Sequence, residues 1–128
     1  MTESKYKLPN TLWELIKFKL ELQIINGTYG SADKVPSMAE LSIKYGIGKS
    51  TAKKVLESLY VEGIITKKRG IGYFVKPLVK NKLKDKHYKI FSGGISEYIS
   101  MAREMNISEN ELREVLNEII EDVYTHRE

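Results

Sequence analysis

The chain has 128 residues, of which 41% are apolar and 30% charged, with a formal net charge of +4 at pH 7. This composition is typical of a globular domain, and the absence of cysteine excludes disulfides and thiolate zinc sites. The sequence has no apolar run long enough for a membrane span, and its start, MTESKYKLPN, lacks the apolar segment of a signal peptide. We therefore expect a cytoplasmic protein without a membrane span.

Charge is distributed unevenly along the chain. Residues 1–76 carry 13 Lys and Arg against 7 Asp and Glu, residues 77–90 carry 5 against 1, and residues 91–128 carry 3 against 9. The first two segments are therefore basic and the last is acidic. This asymmetry indicates that only the front of the chain meets a polyanion such as nucleic acid.

A first helix is predicted over residues 11–26, since apolar residues recur there at steps of three and four: Trp13, Ile16, Leu20 and Ile24. A second, short helix should begin after Ser37, which forms a capping box with Glu40, and should end near Gly46.

A third helix is predicted almost immediately, over KSTAKKVLESLYVEG, and ends at Gly63. Its apolar residues fall within one arc of about 100°. Small polar and basic residues lie outside that arc, in the first turns: Lys49, Ser50, Thr51, Lys53 and Lys54. Two short helices joined by a few residues that include glycine are typical of a helix-turn-helix.

A β-hairpin is predicted next, from β-prone segments at residues 64–68 and 72–75. Its tip is basic and rich in glycine, with Lys68, Arg69, Gly70 and Gly72. Residues 78–90, LVKNKLKDKHYKI, are rich in lysine and weakly patterned, so we expect a basic linker or the entry of a helix there.

Two amphipathic helices are predicted in the rest of the chain. The first carries apolar residues at helical spacing: Phe91, Ile95, Tyr98, Ile99 and Ala102. Ser108 and Glu111 form a second capping box. The helix after it carries a second stripe: Leu112, Val115, Leu116, Ile119, Ile120 and Val123.

The predicted fold class is mainly α with a small β-hairpin wing. Residues 1–77 form a winged helix-turn-helix, residues 78–90 a basic linker and residues 91–128 a two-helix tail. A helix-turn-helix places the first turns of its second helix in the major groove of DNA, while a β-wing holds the flanking backbone. The order of these elements therefore predicts binding to double-stranded DNA, with Ser37 adding a hydroxyl at a helix N-terminus.

Catalytic alternatives receive no support. GIGKST, residues 46–51, matches the closing half of the phosphate-binding loop G-x-x-x-x-G-K-[ST], but the position of the first glycine is Ile43. A capped helix, and not a β-strand, is predicted before it. His87 and His126 have no nearby carboxylate at metal-ligand spacing that a solvated surface would not also produce. We therefore expect no enzymatic activity, no cofactor and no metal site.

The segment IINGTYGSADKVPSMAELSIKYGIGKSTAKKVLESLYVEGIITKKRGIGYFV resembles the winged-helix domain of the GntR family of bacterial transcription regulators. The residues that match the family pattern are Gly27, Pro36, Ser37, Leu41, Thr51, Leu56, Leu59, Glu62, Gly63, Gly70, Gly72, Phe74 and Val75. The resemblance covers about half of the chain. It implies a sequence-specific DNA-binding regulator that acts as a repressor.

The chain departs from the family pattern where the family usually has arginine. Ala39 stands between Ser37 and Leu41, and Lys49 and Lys53 occupy the positions of two recognition-helix arginines. Lysine keeps the charge but lacks the bidentate fork that reads guanine. We therefore expect phosphate anchoring to be retained, with Lys54 and Arg69 supplying part of the charge, and base preference to differ.

The short tail is similar to that of the YtrA subfamily, in which it serves dimerisation. Two amphipathic helices bury their stripes poorly alone, so a second copy is the expected partner. The alternative is that they fold back on their own winged domain. A twofold dimer predicts a pseudo-palindromic operator. The sequence assigns no small-molecule effector. The alternative hypothesis is a winged-helix module that binds protein without DNA sequence specificity, which Ala39 favours.

Overall fold

The structure, a computed structural model, describes residues 8–126. Its elements are α1 (Leu12–Ile25), α2 (Met38–Tyr45), α3 (Lys49–Val61), β1 (Ile65–Lys68), β2 (Gly72–Val75), α4 (Lys80–Glu104) and α5 (Glu109–Thr125). The predicted fold class is confirmed. Residues 1–7 of the predicted DNA-binding domain lie outside the described residues. The described chain divides into two compact units, residues 8–88 and 89–126.

The core of the first unit forms around α3. This helix packs against α1 and α2, and its apolar arc is fully buried: Ala52, Val55, Leu56 and Leu59. α1 contributes Ile16 and Leu20, and α2 contributes Leu41. Burying one arc of α3 leaves the opposite face, with its polar and basic residues, toward solvent.

The ends of α2 follow the local signals in the sequence. The Ser37 hydroxyl accepts from the Glu40 backbone N–H at 3.1 Å, and the Glu40 carboxylate accepts from the Ser37 N–H at 3.0 Å, which completes the predicted capping box. Gly46 ends the helix in the left-handed conformation, with a φ of 63°, which glycine adopts without a steric penalty. α3 begins three residues later, so the helix-turn-helix has a tight turn.

The hairpin pairs β1 with β2 in an antiparallel register, from Ile65 opposite Val75 to Lys68 opposite Gly72. A segment before α2 adds to it. Lys34 forms a bridge with Phe74, and the Val35 N–H donates to the Tyr73 carbonyl at 3.0 Å. The segment around Lys34 therefore pairs with β2 as a short third member of the wing. No pattern in the sequence predicts this pairing.

Of the two alternatives predicted for residues 78–90, a basic linker or the entry of a helix, the structure shows the helix entry. α4 begins at Lys80 and continues without interruption to Glu104. Val79, Leu83 and His87, at steps of four, are buried, and the first compact unit extends to Tyr88 instead of ending at residue 77. A truncation after residue 77 would therefore remove part of the core of this unit.

A buried charge cluster holds the start of α4 in the first unit. Glu21 of α1 is 2% exposed. Its carboxylate accepts from the Lys86 ammonium at 2.9 Å and lies 2.9 Å from the His87 Nε2. Glu62, at the end of α3, pairs with Lys17 and lies 3.8 Å from the Lys86 Nζ. These contacts join α1, α3 and α4 through charged side chains.

The second unit consists of the rest of α4 and of α5. Ser108 begins α5 as its N-cap and accepts from the Glu111 N–H at 3.2 Å. In a full capping box the Glu111 carboxylate would accept from the Ser108 backbone N–H. Here the Ser108 hydroxyl donates to that carboxylate instead, at 3.2 Å. α5 has no buried residue, so most of its predicted apolar stripe faces solvent in a single chain.

Within residues 8–126, the apolar stretches of the helices are too short or too charged to cross a membrane.

Glu21 should make the stability of the chain sensitive to acid. Burial raises the pKa of its carboxyl, but the hydrogen bonds and charges of His87 and Lys86 outweigh it and hold the pKa below the ordinary value of 4.5. The paired carboxylate therefore stabilises the fold above pH 4.5, and this contribution is lost as the pH falls through the lower, folded-state pKa.

The variant Glu21→Gln cannot titrate at this position. We expect its free energy of unfolding at neutral pH to be lower by about 1–3 kcal/mol, the cost of weakening a buried polar contact. Urea titrations between about pH 6 and pH 3 should show a smaller acid-induced loss for Glu21→Gln than for the wild type. Equal losses would contradict the role assigned to Glu21.

Candidate nucleic-acid interface

The exposed face of α3 contains the predicted recognition residues. Lys49, Ser50, Lys53 and Lys54 are exposed and Thr51 is half-buried. Gly48 begins the helix without a side-chain cap, so no capping side chain covers the first backbone N–H groups of α3. A free helix N-terminus with adjacent lysines attracts anions.

Two of the α3 lysines have partners within the chain. The Lys53 ammonium lies 3.7 Å from the Glu57 carboxylate, one turn along the helix. The Lys54 ammonium lies 4.5 Å from the centre of the Trp13 ring of α1, a cation–π distance. Trp13 therefore orients Lys54. The sequence does not reveal this contact, because spacing along one helix says nothing about pairs between helices.

The wing tip is a tight turn between β1 and β2. The Ile71 N–H donates to the Lys68 carbonyl at 2.9 Å. Gly70 and Gly72 have φ angles of 78° and 145°, which side-chain-bearing residues rarely adopt. Arg69 is exposed at this turn, whereas the Lys68 ammonium lies 4.5 Å from the centre of the Phe74 ring. The turn thus presents one arginine and accessible backbone at its tip.

Ser37 lies at the start of α2, where its hydroxyl is used as the N-cap acceptor. A serine hydroxyl is both a donor and an acceptor, and the Ser37 hydroxyl is also a hydrogen-bond partner of the Glu40 carboxyl. The neighbouring Glu40 carboxyl has a pKa below its ordinary value, first because the Ser37 backbone N–H donates to it, with a smaller effect from the charge of Lys34.

Lys34 is a basic residue that the predicted site does not include. Its side chain lies over Gly72, and its charge acts on Glu40. It therefore lies between the start of α2 and the wing, two regions predicted to contact DNA. The signal in the sequence was weak, since Lys34 precedes Pro36 in a loop without periodicity.

The chemistry available on these surfaces is ionic contact and hydrogen bonding. Lysine and arginine side chains and backbone N–H groups at helix starts and turns are donors to phosphate oxygens. Among residues 8–126, His, Cys, Asp and Glu side chains form no group of three or more that could hold a metal ion.

The chain is similar to known regulatory proteins. The family described as "Bacterial regulatory proteins, gntR family" matches residues 13–75. A histidine utilization repressor of Klebsiella aerogenes is 31% identical over 67 residues, which are 52% of this chain and 28% of that protein.

Two solved structures share the fold. A GntR family transcriptional regulator from Listeria monocytogenes has a TM-score of 0.72 and 21% identity, and the match covers 85% of this chain and 95% of that one. YtrA from Sulfolobus acidocaldarius has a TM-score of 0.51 and 22% identity, with 96% and 99% covered. These identities show a common fold and do not distinguish the YtrA subfamily from others.

The chain spans only part of the curated relatives that it matches, from 27% to 47% of the length of three of them. The match with the K. aerogenes repressor covers about half of this chain, as the family match does. Sequence similarity therefore relates the winged-helix segment of this chain to these proteins. It does not show that the chain shares the function of any whole relative.

Removing the cap of α2 should destabilise the first unit without changing its fold. Ser37→Ala loses the hydroxyl that accepts from the Glu40 N–H, so we expect a free energy of unfolding lower by about 1 kcal/mol. Ser37→Thr keeps a hydroxyl and serves as the matched control. Urea denaturation checks both variants, and equal stability of Ser37→Ala and wild type would show that the cap contributes nothing.

Proposed function

Because the winged-helix domain of this chain belongs to the GntR family of bacterial regulatory proteins, we propose that the chain is a transcription regulator that binds double-stranded DNA through α3 and the wing. It acts as a repressor on a pseudo-palindromic operator, as a cytoplasmic homodimer of the YtrA type. The similarity to a histidine utilization repressor supports repression as the mode of action.

One observation carries the DNA-binding proposal. The burial of Ala52, Val55, Leu56 and Leu59 in the core fixes the rotation of α3, so that its lysines and hydroxyls face outward together at the uncapped N-terminus. In a helix-turn-helix this part of the second helix enters the major groove. Arg69 and the wing backbone are placed for the flanking phosphates.

Lysine in place of arginine affects base recognition more than affinity. Lys49 and Lys53 are point charges that neutralise phosphates well but lack the planar fork of arginine. Lys53 is also paired with Glu57, so Lys49 is the stronger candidate for a phosphate contact. Base discrimination then depends more on Ser50 and Thr51, whose short side chains can contact base edges.

The exposed stripes of the tail support a homodimer. Of the predicted interface residues, Ala102 is buried, and Leu112 and Leu116 are half-buried. The others are exposed in the single chain: Phe91, Ile95, Tyr98, Ile99, Val115, Ile119, Ile120 and Val123. An apolar surface of this extent is rarely left open to water. A second copy would offer the same stripes by twofold symmetry.

Binding to DNA should depend on salt and on the lysines of α3. Removing a lysine that neutralises one phosphate should reduce the magnitude of the slope of log K against log salt by about 0.9. We expect Lys49→Ala to weaken binding to a fluorescein-labelled duplex selected from a random pool. Lys53→Ala should weaken it less, because Glu57 already neutralises part of its charge. Fluorescence anisotropy at several salt concentrations measures both effects.

The matched control is Lys19→Ala, because Lys19 is an exposed lysine of α1 outside the predicted contacts. It should leave the affinity and the slope unchanged. Binding without a salt slope, or equal effects of all three substitutions, would contradict the proposed interface and favour the protein-binding alternative.

The dimer should dissociate when a charge is placed in the α5 stripe. Ile119 is 53% exposed in the single chain, so Ile119→Glu should not unfold it. If the residue is buried in a dimer, the dimer Kd should rise about a hundredfold or more, since each of two chains loses about 1.5–3 kcal/mol of apolar burial.

Sedimentation velocity of the full chain measures this change. Asn117→Glu introduces the same charge on another part of the α5 surface and should leave the dimer intact. An Ile119→Glu variant that sediments as a dimer would exclude the α5 stripe from the interface, and a monomeric wild type would refute the homodimer itself.

A further inference from the structure

The side chain of Lys34 occupies the space that Gly72 leaves open in the wing. A Cβ atom on residue 72 would lie 2.8 Å from the Lys34 Cε and 3.7 Å from its Nζ, and the first distance is too short for two carbon atoms. The Lys34 stem thus lies over residue 72, where glycine has no side chain to contact it. The φ of 145° at Gly72 is a second reason for glycine there.

The backbone around Lys34 is also fixed. Lys34 forms a bridge with Phe74. On either side of it, the Val35 N–H donates to the Tyr73 carbonyl and the Val75 N–H donates to the Asp33 carbonyl, at 3.0 and 2.9 Å. The backbone of Lys34 is therefore held by β2, and the end of its exposed side chain lies over Gly72.

The charge of Lys34 lies near a second element. It acts on the carboxyl of Glu40 in the first turn of α2, while its Nζ lies beside Gly72 of the wing. The ammonium is therefore placed between Ser37 and the wing, both of which belong to the proposed DNA-binding surface.

We propose that Lys34 is a further DNA-binding residue, whose ammonium contacts a backbone phosphate between the start of α2 and the wing. This inference rests on the proposed function. Because the backbone at Lys34 is fixed by β2, less conformational entropy is lost when the ammonium meets a phosphate than for a lysine in a mobile loop. A phosphate contact of this kind supports affinity and orientation and contributes no base preference.

The test separates the charge of Lys34 from its packing. Lys34→Met keeps an apolar stem of similar length over Gly72 and removes the ammonium, whereas Lys34→Arg keeps the charge. Fluorescence anisotropy of the full chain is measured with two labelled duplexes, one selected by the wild type from a random pool and one of unrelated sequence. Thermal unfolding is followed by circular dichroism.

For Lys34→Met we expect binding about fivefold weaker on both duplexes, as for the removal of one exposed ionic interaction. The magnitude of the salt slope should fall by about 0.9 for each phosphate that is no longer neutralised. Thermal unfolding should be unchanged, and Lys34→Arg should bind like the wild type. Lys19→Met is the matched control and should behave like the wild type in all measurements.

Unchanged affinity and salt slope for Lys34→Met would overturn the inference, and so would a loss of affinity confined to the selected duplex. If either result is obtained while Lys49→Ala still weakens binding, the proposed function stands and only the role of Lys34 fails. If selection from the random pool yields no duplex that the wild type binds, the proposed function fails as well.

Discussion

The burial of one apolar arc of α3 is the constraint on which the rest of the site depends. Val55, Leu56 and Leu59 are completely buried between α1, α2 and the hairpin, so the helix cannot rotate without exposing them. At about 25 cal/mol per Å² of apolar surface, such a rotation would cost several kcal/mol. This packing directs Lys49 and Ser50 toward solvent. It therefore also sets the orientation of any binding surface on α3.

Contacts between charged side chains of α1, α3 and α4 add a second level of organisation. Glu62 closes α3 and pairs with Lys17, while Glu21 holds Lys86 and His87 of α4. A buried carboxylate is costly unless it is paired and hydrogen-bonded, so these contacts specify where α4 begins more than they add to stability. The start of α4 is thus fixed within the first unit, beside α1 and the end of α3.

Local signals in the sequence were sufficient for most of the fold. The capping box of Ser37 and Glu40, the left-handed Gly46 and the apolar arc of α3 act within one or two helical turns, and the structure contains each of them. The pattern of residues 78–90 does not decide between a linker and a helix entry, because His87 occupies a core position with a polar side chain, which breaks the apolar pattern. Its partner Glu21 is distant in the sequence. The contacts of Lys34 with Gly72 and of Lys54 with Trp13 are equally non-local.

The central claim is that two copies of α3 read DNA from one face of a twofold dimer. Hydroxyl-radical footprinting of the full chain on a duplex selected from a random pool tests it most directly. The account predicts two protected segments of related, inverted sequence, with centres about 34 Å apart or a multiple of this distance, since successive major grooves on one face have that spacing. A single protected segment, or no protection at concentrations that saturate binding, would contradict it.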